Sequence, residues 1–392
     1  MASPNLLVAH GGGPTPVINA SLAGVVREAQ RQPGIDRILA ARHGIEGVLL
    51  DDLVDLTEMS EEELVRLERT PSSAIGSCRY KVGEGDFERI AAVLDARRIG
   101  FFLYNGGNDS MDTCLHMSRQ MSEIAVAGIP KTIDNDLAVT DHSPGFGSAA
   151  RYYAVSTAEL CLDAAALGIQ VSVLEVMGRN AGWLAASSVL ARRLDDSFPL
   201  FVMLPERPLD REGFLAAVET AWGRSHGFVV VASEGLTDSS GVVLGSDASK
   251  AGTDAFGHKM PGGVGEYLAG IIRSGLGIRA RSEKPGLLGR ASRSLVSEVD
   301  LTEARLCGEY AVSELCEGRS GFMVGLRRGQ GTDYSVTTEC IELERVANVE
   351  RKLPDEYISE SGMDVTPAFV DYCRPLIGVD PFEPYFVLPR KA

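Results

Sequence analysis

The chain has 392 residues, 44% of them apolar, and carries a formal net charge of −16. At roughly 150 residues per domain this length implies two or three domains, each able to bury a core. The acidic balance argues against a dedicated binder of nucleic acid or anionic membranes, which needs a broad positive face, but it leaves room for a local positive pocket. Forty-three glycines exceed the usual share of about 7%, and the 18 prolines do not, which describes a loop-rich globular chain.

The N-terminal apolar run Asn5–His10 has no basic stretch before it and a glycine cluster directly after it, so it reads as a buried strand rather than a signal peptide. A helix is expected over about Val17–Gln30, a strand over Ile99–Tyr104, a helix from about Ser110, and a strand over Ile124–Gly128. A long helix over Ser148–Gly168 leads to a strand at Val171–Val176, and a helix follows at about Ala181–Ala191. Further strands fall at Leu200–Leu204 and Gly227–Ala232, separated by a helix at Arg211–Trp222. The tail gives a helix over Leu301–Gly318, a strand over Gly321–Leu326 and a Pro-punctuated segment over Lys352–Leu376. Strands alternating with helices are the pattern of a parallel sheet covered on both faces.

No apolar stretch approaches the roughly 20 residues that cross a bilayer. The seven cysteines are scattered singly, which suits reduced thiols in the cytoplasm better than a disulfide framework. The six histidines show no zinc-like spacing, and no GxSxG motif is present.

Polar and glycine clusters follow the strand ends: HGGGPTPVIN (10–19), NGGNDS (105–110), PKTIDND (130–136), MGRN (177–180) and ASEG around Glu234. Crevices outside the carboxyl ends of parallel strands are where such folds bind ligands. The first turn could hold a phosphate on uncovered backbone N–H groups, or could be glycine-rich for geometry alone. Asp109 could cap the next helix or face a phosphate-bound Mg²⁺. In the third cluster an Asp can serve as general base and Lys131 can neutralise a transferring phosphoryl group; the plain reading is an Asx-turn beside a surface lysine. The arginines at 279, 281, 290 and 293, and the basic cluster Arg79-Tyr80-Lys81, offer phosphate-binding forks within an acidic chain. HGGGPTPV lacks the clean GxGxxG of a dinucleotide site.

Taken in order, GGPTPVIN, GGNDS, PKTIDND, EVMGR and SEG, with PDEYI and Y-x-RPLI near the end, resemble the phosphofructokinases over nearly the whole chain. The resemblance implies two Rossmann-like α/β/α domains with parallel sheets. It places a donor domain at 1–145 plus about 290–340, a sugar-phosphate domain at 146–289, and a segment at 341–392 wrapping the body. It implies phosphoryl transfer to the 1-hydroxyl of fructose 6-phosphate with Mg²⁺. ATP users of the family resemble GGDGS and PGTIDND, whereas pyrophosphate users carry the Asp and Lys found here as Asp109 and Lys131. A carboxylate where the α-phosphate of ATP would lie repels the nucleotide.

Carried over by position, the donor contacts are Gly12, Gly13, Arg79, Gly107, Asn108, Asp109 and Lys131, with Asn108 and Asp109 toward the metal. Asp134 falls on the general base and Asp136 on its charged neighbour. Thr132, Met177, Gly178, Arg179 and Glu234 fall on sugar-phosphate contacts, and Arg281 and Arg290 on the arginines that hold the 6-phosphate. The first of these arginines usually comes from a neighbouring subunit, implying a homodimer or homotetramer with shared active sites. The sequence departs from the family at Asn108, where many relatives have a magnesium-linked Asp, at Gln170, where ATP enzymes carry an arginine, and at Leu287 within GLLGRASRS. Other readings of the same motifs are an ATP-dependent enzyme, a kinase of another sugar phosphate such as sedoheptulose 7-phosphate, and a catalytically silent metabolite-sensing subunit.

Overall fold

The computed structural model describes residues 3–246 and 263–386. His258 lies outside the described residues. The chain opens with β1 (Asn5–His10), α1 (Ile18–Ala29), β2 (Ile38–Ala41), α2 (Ile45–Leu49), β3 (Leu53–Asp55), α3 (Glu61–Glu68) and α4 (Glu84–Ala96). It continues through β4 (Ile99–Gly106), α5 (Asn108–Gln120), β5 (Ala125–Pro130), α6 (Phe146–Leu167), β6 (Val171–Val176), α7 (Trp183–Ser187) and β7 (Leu200–Met203). Then come α8 (Arg211–Trp222), β8 (Phe228–Ser233), α9 (Val264–Leu276), β9 (Ala280–Glu283) and α10 (Leu288–Ala291). The last are α11 (Glu298–Cys316), β10 (Phe322–Arg328), β11 (Val336–Glu342) and α12 (Pro367–Cys373).

These elements form two compact units. The first holds the described residues up to Phe146 together with Arg290–Arg351, and the second holds those of Gly147–Gly289 together with those from Lys352 onward. Residues 341–351 thus belong with the first unit and are not part of one C-terminal segment.

The first unit is built on a seven-stranded sheet of order β11-β10-β5-β4-β1-β2-β3. The five strands from β10 to β2 are parallel, and an antiparallel strand closes each edge. Every residue of β1 is buried, because its two faces serve two different cores. Leu7 and Ala9 pack with Ile90, Phe102 and Met111 under α2, α4 and α5, while Leu6 and Val8 pack with Leu22, Val25, Cys307 and Val312 under α1 and α11. This two-sided burial is why the strand reads as a continuous apolar run without alternation.

Helices α1 and α11 cross through their glycines. A Cβ at Gly24 would overlap the carbonyl oxygen of Arg305, and one at Gly308 would overlap that of Ser21. Backbone cannot yield as a side-chain tip can, so Gly308→Ala should cost roughly 1–3 kcal/mol of stability. A chemical-denaturation midpoint unchanged from the parent would refute that crossing.

The second unit carries a four-stranded, all-parallel sheet of order β7-β8-β6-β9. One core joins Val173, Val230 and Met203 to Phe214 and Val218 of α8 and to Leu268 and Ile272 of α9. The helix expected at Ala181–Ala191 is one α-helical turn, α7, running into a 3-10 turn at Ser188–Arg193. Trp183 of α7 is buried against Tyr357, Phe369 and Tyr372, with ring centroids 5.4–6.4 Å apart, which fastens the C-terminal stretch to this unit. The sequence pattern missed β2, β3, β9 and β11 along with α2, α3, α4, α9, α10 and α12; the first three of those strands have only three or four residues.

Candidate active site

In the first unit the carboxyl ends of β1, β4 and β5 lie side by side, which brings three of the sequence clusters to one sheet edge. The glycines there do different jobs. A Cβ at Gly11 or Gly106 would collide with Ser110 of α5, so these two let the helix start pack down on the turns. Gly12, at φ +74°, has the Lys131 ammonium 3.2 Å from where its Cβ would stand. The Arg290 guanidinium occupies the corresponding space beside Gly13. Arg290, expected among the 6-phosphate contacts, lies beside this first glycine turn.

An open cleft of ≈ 320 Å³ covers this loop, lined by Gly12, Gly13, Ser73, Ser77, Cys78, Arg79 and Arg290 among others. The Ser77 hydroxyl donates to the Gly12 carbonyl at 2.7 Å and fixes the turn. Lys131 is 4% exposed. Burial, and then the charge of Arg290, bring its pKa down to about 8, against the pull of Asp136 and Asp134. This is no surface lysine: it is a desolvated cation at the foot of a glycine turn.

The segment after Lys131 is held by its backbone. Asn135 takes φ +55°, a left-handed conformation that asparagine tolerates, and its Oδ1 accepts the Ser143 amide at 3.0 Å. The Arg351 guanidinium donates to the carbonyls of Asn135, Thr140 and Asp141 at 2.7–3.3 Å, and the Arg351 amide donates to the Asp136 carbonyl. The Asp134 amide donates to the Thr132 hydroxyl at 3.1 Å. The Asp136 carboxyl is held above its usual range, first by burial and further by Glu350, although the Thr132 hydroxyl works the other way. Asp134 and Asp136 are both partly exposed.

Asp109 does not cap α5. Gly107 is the N-cap, and Asp109 is an exposed carboxylate in the first turn. The end of the Asn108 amide lies 3.2 Å from the carbonyls of both Val346 and Val349, two acceptors that the amide satisfies when its nitrogen is turned toward them. An Asp there could not donate, which gives this asparagine a structural reason to differ from the family pattern. Among the described residues no group of three His, Cys, Asp or Glu side chains could hold a metal unaided. The donor set still fits Mg²⁺, which binds through one or two carboxylates and takes its remaining ligands from substrate phosphates and water. Asp109 is the carboxylate of this turn that could hold it, and Asn108 adds no charge.

In the second unit, Met177, Gly178 and Arg179 follow β6, and Glu234 follows its neighbour β8. The Ser233 hydroxyl donates to the Gly178 carbonyl, and the Met177 amide donates to the Tyr153 hydroxyl at 3.4 Å. A Cβ at Gly235 would overlap the carbonyl oxygen of Arg179, so the two turns touch through backbone. Burial raises the Glu234 pKa, opposed first by the Lys284 charge. Glu175, at 3% exposure, binds Lys284 at 2.6 Å and accepts the Gly265 amide at 2.9 Å. Sequence reading missed this Glu175–Lys284 pair: Glu175 sat unassigned within EVMGR, and nothing local marks Lys284.

Arg281 is not with this group. It pairs in register with Ser172, five residues before Met177, and is exposed, with its guanidinium on Glu283 at 2.5 Å. Gln170 is buried and Leu287 is exposed. No helix among the described residues is long and apolar enough to cross a membrane.

Residues 5–315 match the family model for phosphofructokinase. The chain is 40% identical over 399 aligned positions to a pyrophosphate–fructose 6-phosphate 1-phosphotransferase of Halomonas elongata, covering 98% of this chain and 94% of the relative. It is 36% identical over 361 positions to a sulfofructose kinase of Alkalicoccus urumqiensis, covering 90% and 91%. Among solved structures, a pyrophosphate-dependent phosphofructokinase from Nitrosospira multiformis is similar with a TM-score of 0.88 at 37% identity, over 100% of this chain and 99% of that one. Two α/β units built on largely parallel sheets, phosphate-suited glycine turns at their strand ends and this full-length similarity agree: the chain belongs to the phosphofructokinase family.

Proposed function

We propose that the chain transfers a phosphoryl group reversibly from pyrophosphate to the 1-hydroxyl of fructose 6-phosphate, giving fructose 1,6-bisphosphate and orthophosphate. The observation that carries this reading is the buried Lys131 ammonium at Gly12, a donor-side cation where the family's ATP users have a glycine. Pyrophosphate lacks an adenosine to grip, so its binding energy has to come from charge. Lys131, Arg290, Arg79 and the Gly12–Gly13 amides supply that charge.

In the transfer, the 1-hydroxyl oxygen forms a bond to the terminal phosphorus while the anhydride P–O bond breaks and orthophosphate leaves. Asp134 takes the hydroxyl proton, and Asp136 stands beside it as a second carboxyl. Such reactions depend on positioning and charge more than on covalent chemistry. Mg²⁺, when bound, neutralises phosphate charge, and Asp109 is the residue that would hold it. Met177, Gly178, Arg179, Glu234 and Thr132 bind the sugar phosphate, and Arg281 serves a neighbouring copy in a cytoplasmic dimer or tetramer.

One relative is a sulfofructose kinase, which favours a second reading in which the acceptor carries a different anionic group at its far end. A coupled assay with Mg²⁺ separates these possibilities, run with pyrophosphate or ATP as donor against fructose 6-phosphate, its sulfo analogue and sedoheptulose 7-phosphate. Turnover with pyrophosphate and fructose 6-phosphate is expected; turnover with ATP alone would overturn the donor assignment. The double variant Asp109→Gly, Lys131→Gly should lose pyrophosphate turnover. Parental rates in that variant would defeat the role given to Lys131.

A further inference from the structure

His10, which opens the first glycine cluster, has no part in the reaction just described, yet it is fully buried beneath the donor loop. It pairs in register with Asn105 on β4, and Asn105 pairs with Ile129 on β5. Val8, Leu103 and Ile129 share one core, so the two-residue period of a strand places His10, Asn105 and Lys131 on that same face. All three lie at the carboxyl edge of adjacent strands, at 0%, 0% and 4% exposure.

The tautomer of His10 follows from its neighbours. The Ser73 hydroxyl donates its single proton to the Gly76 carbonyl at 2.7 Å, and Ser73 Oγ lies 2.8 Å from His10 Nδ1. Nδ1 must therefore carry the proton and donate it to Ser73. Burial, and then the Lys131 charge, hold the imidazole neutral with a pKa down to about 3. Nε2 is consequently a bare lone pair, buried and without a partner. Asn105 repeats the pattern: its Nδ2 donates to the Ile18 carbonyl at 3.4 Å, and its Oδ1 is buried without a partner. Two unsatisfied buried acceptors side by side are costly and call for a donor. Lys131, two residues beyond Ile129 on the same face, acts electrostatically on His10 and has N–H bonds to give; its ammonium stands at Gly12 and makes no hydrogen bond to either acceptor there, so the contact requires the side chain to turn toward them.

We propose that His10 Nε2 and Asn105 Oδ1 form an acceptor pair that takes hydrogen bonds from the Lys131 ammonium and aims its remaining N–H at the donor phosphates, an inference that rests on the pyrophosphate reading. Neutral acceptors suit this task. A carboxylate in their place would cancel the charge that the donor needs, while these two hold the lysine and leave it cationic. The other charged groups acting on Lys131 are Arg290 and Arg79, which repel it, and Asp134 and Asp136, which attract it. His10 and Asn105 act through Lys131 and are positioning residues.

Binding of inorganic pyrophosphate with Mg²⁺ and no sugar, measured by calorimetry on the parent, His10→Phe, Lys131→Met and the double variant, tests this coupling. His10→Phe should weaken binding about tenfold in the parent and less than about twofold in the Lys131→Met background. Equal losses in both backgrounds would overturn the inference. The imidazole ¹⁵N spectrum gives a measurement that does not depend on the fold of a His10 variant. In the parent, His10 Nδ1 should carry the proton and Nε2 should accept; Lys131→Met should move Nε2 toward the shift of a free lone pair. An unmoved Nε2 resonance would also overturn it. A parent that does not bind pyrophosphate removes the donor reading, and the nitrogen spectrum then decides the His10–Lys131 contact by itself.

Discussion

Replacing Asp134 with Asn should lower kcat by about 10³-fold while KM for both substrates stays within about threefold. Asn matches Asp in shape, so the substitution removes the ability to accept a proton and little else. The surrounding backbone gives this prediction its sharpness. The loop is fixed by the left-handed Asn135 and by the Arg351 guanidinium on three carbonyls. A structural account of lost activity would therefore need a changed thermal midpoint, which is not expected. Steady-state rates with pyrophosphate, together with thermal unfolding of the same variant, form the test. A variant within tenfold of the parental kcat would take Asp134 out of the proton transfer.

Stability in the first unit should peak near pH 6.5 and fall on both sides, through two buried histidines acting in opposite senses. His142 lies between Asp141, 2.8 Å from Nδ1, and Glu303, 2.7 Å from Nε2, with Tyr334 donating to Glu303 and Arg328 to Asp141. Burial alone would lower its pKa, but the hydrogen bonds to Asp141 and Glu303 outweigh it and bring the value up to about 9. The folded state therefore holds this proton more tightly than the unfolded chain does. The stabilisation is complete below pH 6.5 and is lost as pH rises to 9, on the order of 3 kcal/mol.

His10 works the other way. Its folded pKa of about 3 means that the unfolded chain binds the extra proton below pH 6.5. Stability then falls on acidification from 6.5 toward 3, by roughly 4 kcal/mol. Lys131, brought down from 10.5 to about 8, adds stability as pH rises between those values, so the His142 limb is cleanest from pH 6.5 to 8. Urea midpoints across pH 4–9 measure both limbs. His142→Gln should flatten the rise-side loss; a variant that keeps the parental slope between pH 6.5 and 8 would refute the assignment.

The sequence by itself was enough for the parallel α/β class, for strands such as Val171–Val176 and for the placing of chemistry at the strand ends. These features are local: fully buried strands must be apolar throughout, and a turn that approaches phosphate must expose amides. Which groups meet at those ends is a different matter. Local pattern could not separate Gly11 and Gly106, which admit Ser110, from Gly12 and Gly13, which face Lys131 and Arg290. It treated Asn108 as a missing charge, where the fold sets its amide against the carbonyls of Val346 and Val349, which call for a donor. It left Glu175, Lys284 and Arg351 unassigned.

Each of these depends on chain segments far apart in sequence. His10 and Asn105 become neighbours only through the register of two parallel strands 95 positions apart, and Arg290 reaches Gly13 only because the chain returns to the first unit after residue 289. The net charge of −16 illustrates the same division. Composition counts charges without locating them, and so it excluded a broad positive face. Desolvating one lysine beside an arginine at a glycine turn is the work of tertiary packing, and composition cannot show it.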